Sequence, residues 1–425
     1  MSALAIEEAS ASSKTDAAVA DGVENGVKRE LRVLHVFDSL GMGGAETWLM
    51  ALLRYFQREN ERSALKVYFD VLLTGGNRAV FDEEAESLGA RLFYLPFTRK
   101  ALPAFARNFR RILRDGRYDA IHDHQDYIAG LHFAMGAGLL PPVRIAHVHN
   151  PLYHRITYAT GLIRRTTMFG GRTLISRMAT HVMGTSKQIV CEYGFSDSAT
   201  VGLDLGAAHC GFDVSSYQGD HSNAHAELCR EFGWVNSAKI ILFVGRLEGS
   251  ELALNGQVMT HKNPAFALDV VRQCMAKDET VHLLMVGAGN RRKKQFEEMV
   301  KAWGLQSQIK FLGVRSDIPR LMLGSNLLLF PSVAEGLGMV VVEAQATGLR
   351  VLASDSTPAE CVVVPDLVTF LSLKAAPSTW VENVLRLTHL PRCGSDEPNR
   401  AVSESSFSIQ HSATRLSRLY GGGPY

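Results

Sequence analysis

Short apolar runs alternate along this chain with longer stretches whose apolar residues recur every three or four positions. That alternation predicts parallel strands joined by helices. The first series opens with "LRVLHVF" (31–37), followed by the helical pattern "AETWLMALLRYF" (45–56) and the strand "YFDVLLT" (68–74). It continues through "YDAIHDH" (118–124), "VRIAHVHN" (143–150) and "THVMGTS" (180–186), each closing on polar residues where a loop should begin. A second series starts at "KIILFVGRL" (239–247) and runs through "VHLLMVGAG" (281–289), "IKFLGV" (309–314), "NLLLFPS" (326–332) and "RVLASD" (350–355). Between the series, residues 209–223 are polar and weakly periodic. The pattern predicts an α/β protein: two Rossmann-like, doubly wound parallel-sheet domains facing across a cleft, with ligands beyond the carboxyl ends of the strands. The first domain is expected over 29–212 and the second over 213–400. Residues 1–28, rich in Ala, Ser, Asp and Glu, are expected to be a disordered tail.

Composition changes this picture little. A net charge of +2 supplies no bulk field for nucleic acid, so no nucleic-acid partner is expected. The six cysteines are scattered without a CxxC pair and read as reduced thiols of a cytoplasmic protein. No signal-peptide pattern is seen, and Tyr127–Val143, interrupted by His132 and closed by two prolines, reads as a buried helix.

The chemistry concentrates in the second half. In "NLLLFPSVAEGLGMVVVEAQATG" the strand is followed by a loop and then a helix ending at Gly348. Glu335 falls at the strand's carboxyl end, facing the cleft. Gly336 and Gly338 let backbone approach a ligand. The free N–H groups of Gly338, Met339 and Val340 at the helix start form an anion site by geometry and dipole. Glu343 lies about one turn further, within reach of the same ligand. A phosphate on the helix end and a hydroxyl at each carboxylate suit a nucleotide-sugar; two acids that only cap and solvate are the alternative. Arg246 sits just past a strand and Lys262 just before a helix marked by Asn263 and Pro264. Two such cations can clamp a diphosphate, or be solvated surface bases.

In the first half, "DSLGMGGAETW" (38–48) is a glycine-rich turn, but its glycines read G-x-G-G and the next strand ends in "LLTGG" without an acid. That disfavours a dinucleotide dehydrogenase. His122 and His124, and His147 and His149, alternate on strands and could meet a metal; without nearby cysteines none is expected. A single cleft-facing His149, as polar lining or transition-state donor, is the preferred reading. No Asp or Glu occurs between Asp126 and Glu192, whereas Arg144, Arg155, Arg164, Arg165, Arg172, Arg177 and Lys187 do. Such a surface is either a solvated basic face or one suited to anionic lipid or a pyrophosphate-bearing acceptor.

Together these residues resemble the retaining family 4 glycosyltransferases of the two-Rossmann GT-B fold, most of all those of bacterial exopolysaccharide, capsule or lipopolysaccharide synthesis. The resemblance rests on "MGGAET" (42–47), "VRIAHVHNP" (143–151), "FVGRL" with "HKNP" (243–247, 261–264), "IKFLGVRSDIPRLM" (309–322) and the E-x7-E stretch "EGLGMVVVE" (335–343). "FSIQHSATRLSRLY" (407–420) resembles the family's last helix, so residues 401–425 are expected to cross back to the N-terminal domain. The resemblance implies that Arg246 and Lys262 bind the donor diphosphate and stabilise its departure. It places Glu335 near the anomeric carbon, Glu343 on the ribose and the backbone from Leu337 to Val340 on the phosphates. Gly43 and Gly44 would lie beneath the sugar and diphosphate, and His149 would contact the sugar from the N-terminal side. It implies no metal and no cofactor.

Three departures qualify it. Fifteen residues lie between Arg246 and Lys262, a flap over the donor or a disordered insert. The interdomain segment reads "HCGFD", and residues 374–400 carry no clear helix signals. The expected function is sugar transfer from a nucleotide-sugar, a UDP-sugar by preference, to a glycan or lipid-linked acceptor, peripheral to the anionic inner face of the membrane. A GT-B sugar-nucleotide epimerase and a non-catalytic nucleotide-sugar-binding protein are the alternatives.

Overall fold

The computed structural model describes residues 29–151, 162–195, 203–248, 251–254 and 257–424. The expected tail and Arg155 lie outside them. The first sheet has seven parallel strands: β1 (Arg29–Phe37), β2 (Leu65–Leu73), β3 (Arg91–Tyr94), β4 (Ala120–Asp123), β5 (Val143–Val148), β6 (His181–Gly184) and β7 (Asp204–Ala207). Their spatial order, β3-β2-β1-β4-β5-β6-β7, reverses between β1 and β4. The second sheet has six parallel strands: β8 (Lys239–Val244), then, after a hairpin of β9 (Glu251–Leu254) and β10 (Gln257–Thr260), β11 (Val281–Val286), β12 (Ile309–Gly313), β13 (Leu327–Phe330), β14 (Arg350–Ser354) and β15 (Val368–Leu371). Its order, β12-β11-β8-β13-β14-β15, reverses between β8 and β13. Each reversal opens a crevice at the carboxyl ends of the flanking strands, where ligands of open α/β sheets bind.

The helices that frame these crevices are α1 (Gly44–Arg62), α2 (Ile128–Gly136), α3 (Leu162–Met178), α4 (Lys187–Glu192), α5 (Pro264–Met275), α6 (Met339–Ala346), α7 (Pro377–His389), α8 (Asp396–Ser403) and α9 (Ile409–Tyr420). Apolar layers cover both faces of each sheet, so central strands such as β11 and β13 are buried at every position. Burial on both faces removes the polar alternation of a one-sided strand. The buried helix expected over Tyr127–Val143 is confined to α2, and Gly138 follows it with φ 80°. Its His132 pairs with Asp123 at 2.6 Å, both fully buried, which explains a histidine on an apolar helix.

The chain returns to the first domain at its end. Phe212 bonds through its backbone to both sides of Ser408 at the crossing: its N–H donates to Phe407 O and its carbonyl accepts from Ile409 N–H, both at 3.0 Å. Trp48 of α1 donates to Ser412 of α9 at 3.0 Å, and the Tyr420 hydroxyl meets His122 at 2.8 Å.

Three edge strands, β3, β7 and β15, escape the sequence reading. Each has only four residues and is mostly half-buried, so it lacks the buried apolar run that marks β4, β6 and β13 at the same length. Residues 374–400, without clear signals, contain α7 and most of α8. The stripe of α7 is Trp380, Val381, Val384 and Leu387. The described part of the insert before Lys262 contains the antiparallel β9–β10 pair, in register from Gln257↔Leu254 to Thr260↔Glu251.

Candidate functional site

Both crevices open onto one gap, and the second carries the predicted charges. Lys262 follows the hairpin and precedes α5; Glu335 follows β13, on the opposite side of the β8/β13 reversal. Lys262 Nζ donates to Glu335 Oε1 at 2.7 Å and lies 5.0 Å from the centre of the Phe330 ring. Glu335 is only 7% exposed. Burial alone would raise its carboxyl pKa, but the charges of Lys262 and His261 outweigh that and hold it below the usual range. Lys262's stem crosses Gly245, and Val333 N donates to His261 O at 2.9 Å, so the two loops are joined beneath the pair. Asn263 occupies the position before α5, as its residue type suggested, but its backbone is left-handed (φ 55°) and its side chain makes no cap.

Arg246 lies exposed two residues beyond β8. Its charge acts on Glu46 of α1, across the gap. Burial raises the Glu46 pKa and Arg246 lowers it. Glu46 folds back over its own helix start, its Oε2 only 2.1 Å from where a Cβ on Gly43 would lie. Nothing in the sequence around Glu46, inside "MGGAET" (42–47), signals this contact. Gly43 and Gly44 are where the sequence placed them, at the head of α1.

Helix α6 begins at Gly338, whose φ of 89° and closeness to Thr357 Cγ2 (3.0 Å from a Cβ placed there) both call for glycine. No described side chain caps this helix, so Met339 and Val340 open it without a capping partner. Leu337 is buried in the second-domain core, and Met339 packs against the cores of both domains. Two buried hydroxyls without partners among the described residues lie beside this point, Thr185 Oγ1 at Gly336 and Thr357 Oγ1 at Gly338, and Thr260 Oγ1 and Asn263 Nδ2, also unpartnered, flank Lys262 in sequence. Buried polar atoms are costly unless bonded, so their clustering is the mark of a site that a polar ligand completes.

Glu343, one turn into α6, hydrogen-bonds the Tyr217 hydroxyl, a partner the sequence did not suggest. Burial raises its pKa to about 7, against smaller opposing effects from Tyr217 and Lys262. The folded state thus holds a proton that the unfolded chain releases near the usual carboxyl value. Stability from this group is full below that value and is lost as pH rises towards about 7. Glu343→Gln is therefore expected to raise the melting temperature at pH 8 and leave it nearly unchanged at pH 4.5; equal shifts at both would show that Glu343 is not protonated in the fold.

The first domain meets the site at the ends of β4 and β5. His149 faces the gap; its backbone N–H donates to Asp126 Oδ1 at 2.9 Å, and its carbonyl lies 2.4 Å from where a Cβ on Gly336 would be. Glu360, from the second domain, accepts from the N–H groups of Lys187 and Gln188 at the start of α4 (2.9 and 3.4 Å). These contacts bring the two domains together at the site.

The basic segment is less available than its composition implied. Arg144 turns inward onto the carbonyls of Pro141, Pro142 and Met178, and Arg172 onto Gly194 O and the Phe195 ring. Arg165, Arg177 and Phe169 of α3 are exposed, Phe169 by 74%. A separate cavity of about 510 Å³ lies beyond the far end of α6, lined by Asp220, His221, Thr347, Arg392, Ser395 and Asp396. Its Arg392 is engaged by the carbonyls of Met322, Ser325 and Thr347.

Comparison with known proteins matches residues 227–404 to the model described as "Glycosyl transferases group 1", and residues 43–196 to "Glycosyl transferase 4-like domain". The chain is 29% identical to the putative glycosyltransferase EpsF of Bacillus subtilis over 92% of this chain and 96% of that one. It is 23% identical to the capsular polysaccharide biosynthesis glycosyltransferase CapH of Staphylococcus aureus, over 84% and 90%. Among solved structures it resembles Anabaena HepE in complex with UDP (TM-score 0.72, 17% identity, 92% of this chain and all of that one). It also resembles WaaG, a glycosyltransferase involved in lipopolysaccharide biosynthesis (TM-score 0.64, 16% identity, with the same coverage). No helix among the described residues is long and apolar enough to cross a membrane.

Proposed function

The chain belongs to the family 4 glycosyltransferases of the GT-B fold, and from that premise we propose that it moves a sugar, with retention, from a UDP-sugar to a hydroxyl of a glycan or lipid-linked acceptor in cell-surface polysaccharide synthesis. The observation that carries this reading is the convergence, at the β8/β13 reversal, of Arg246, the Lys262–Glu335 pair and the uncapped start of α6. HepE was solved with UDP-glucose, and the names of EpsF and CapH point to polysaccharide chemistry.

The donor diphosphate lies between the two cations and the N–H groups of α6, with the uridine ribose towards Glu343. In this structure Lys262 already has a carboxylate partner, and the charge of Arg246 acts on Glu46. A diphosphate draws both cations to itself as charge builds on the leaving group, so their stabilisation is greatest in the transition state. Glu335, held ionised, is a weak base but a lasting negative charge beside an anomeric centre that becomes positive. His149 and the backbone over Gly43 and Gly44 hold the sugar from the first domain. The acceptor hydroxyl enters from the face the diphosphate leaves, and no carboxylate base is assigned to it. The exposed Arg165, Arg177 and Phe169 of α3 suit an anionic, lipid-linked acceptor at a membrane surface.

The test is transfer from UDP-sugars to a lipid-diphosphate-linked acceptor, with the product linkage read by NMR. Retention is expected: an α-linked donor gives an α-linked product, and UDP raises the melting temperature. A β-linked product would refute retention. Interconversion of the UDP-sugar without acceptor would favour the epimerase.

A further inference from the structure

Five histidines line one face of the first sheet, under α1 and α9. They are His35 on β1, His122 and His124 at the end of β4, and His147 and His149 at the end of β5. All but His149 are buried. Two hydrogen-bonded chains run through them. Tyr420 Oη meets His122 Nδ1 at 2.8 Å, and His122 Nε2 meets His147 Nδ1 at 3.0 Å. His35 Nδ1 meets His124 Nε2 at 3.0 Å, and His124 Nδ1 meets His149 Nε2 at 2.9 Å. His147 Nε2, fully buried, meets no partner of ordinary hydrogen-bond geometry among the described residues, although the Ala208 backbone acts on this ring. One ring nitrogen from each of His124, His147 and His149 lies within 4.8 Å of the other two.

From this arrangement we propose that His124 Nδ1, His147 Nε2 and His149 Nε2 form a three-histidine site for a divalent late first-row metal, Zn²⁺ in the first instance. A Zn–N bond of about 2.0 Å puts tetrahedral ligands roughly 3.3 Å apart, between the 2.9 Å that separates His124 Nδ1 from His149 Nε2 and the 4.8 Å that bounds all three. Imidazole suits Zn²⁺, and cysteine is not required. The outer partners are also in place. His124 donates its Nε2–H to His35, and His147 donates its Nδ1–H to His122, which donates in turn to Tyr420. Such second contacts orient metal-binding histidines and fix their tautomers. The proton now shared between His124 and His149 moves to the outer nitrogen of its ring, so binding needs no net proton release. The fourth position is assigned to the interdomain gap, because His149 is the most exposed of the three.

This is not a cofactor for sugar transfer. A metal on His149 Nε2 fixes a side chain assigned to the donor sugar, so binding inhibits transfer. That second half rests on the proposed function; the binding half does not.

The test titrates chelator-treated full-length protein with Zn²⁺ and Co²⁺. One equivalent per chain is expected, with the visible absorption of four-coordinate Co²⁺. His124→Asn and His147→Asn are each expected to bind at least about 10-fold more weakly, and exposed His411→Asn to bind as wild type. Transfer should fall over the same Zn²⁺ range and return with EDTA. Absence of stoichiometric binding by the wild-type chain overturns the site without reference to any variant, as does full affinity in folded His147→Asn. Stoichiometric, His147-dependent binding that leaves transfer untouched removes the inhibitory half. A metal-free protein that binds metal as expected but transfers no sugar contradicts the functional reading and leaves the site standing.

Discussion

Lys262→Ala is expected to lower kcat for sugar transfer by about 10²–10³-fold, the usual effect of removing one preorganised group that stabilises developing negative charge. KM for the donor should change far less, because the interaction grows as the diphosphate departs. The substitution also strands Glu335, 7% exposed, without the partner 2.7 Å away. The stranded carboxyl relieves itself by taking up a proton, so the variant stays folded with a melting temperature a few degrees lower. The sign follows from the pair. Lys262 keeps the carboxyl pKa down in the folded state, so its stabilisation is present above the unfolded carboxyl value and is lost as pH falls through the lower folded one. The melting-temperature gap between wild type and Lys262→Ala should thus be wide at pH 8 and narrow near pH 4. Glu335→Gln in the Lys262→Ala background should recover stability and recover no activity. Near-normal turnover in Lys262→Ala would show that the cation pair is wrongly assigned.

Gly336→Ala is expected to cost about 10²-fold in kcat/KM through geometry alone. A Cβ there would stand 2.4 Å from His149 O, 2.8 Å from Thr185 Oγ1 and 3.2 Å from Ile189 Cδ1. The closest of these is backbone of the other domain and cannot swing aside, so the domains must part. Parting them also pulls Glu360 from the start of α4, so X-ray scattering should report a larger radius of gyration. UDP affinity should be nearly unchanged, since the nucleotide rests on the second domain. Unchanged scattering with full activity would mean that the contact yields without opening the gap.

The double-wound architecture was legible because buried parallel strands are continuous apolar runs and their helices have a clear period. What escaped were four-residue edges such as β3 and β15, and the partners of the charges. Lys262 and Glu335 could be placed at loop positions by the strand and helix patterns that flank them. Their 2.7 Å pairing could not be seen, because it depends on how β8 and β13 neighbour each other across a reversal in strand order. Tyr217 on Glu343 and Glu360 on α4 are likewise contacts between distant segments. The histidines illustrate the same limit: alternation put each pair on one face, but only sheet order brought His35, His122, His124, His147 and His149 together.

The claim on which the rest depends is that a diphosphate sits between Arg246, Lys262 and the head of α6. A crystal structure with UDP bound tests it most directly. The account predicts the β-phosphate within hydrogen-bonding distance of both side chains and of the Met339 or Val340 N–H, with Glu343 on the ribose. A diphosphate bound elsewhere, or Arg246 and Lys262 turned away from it, would contradict the account.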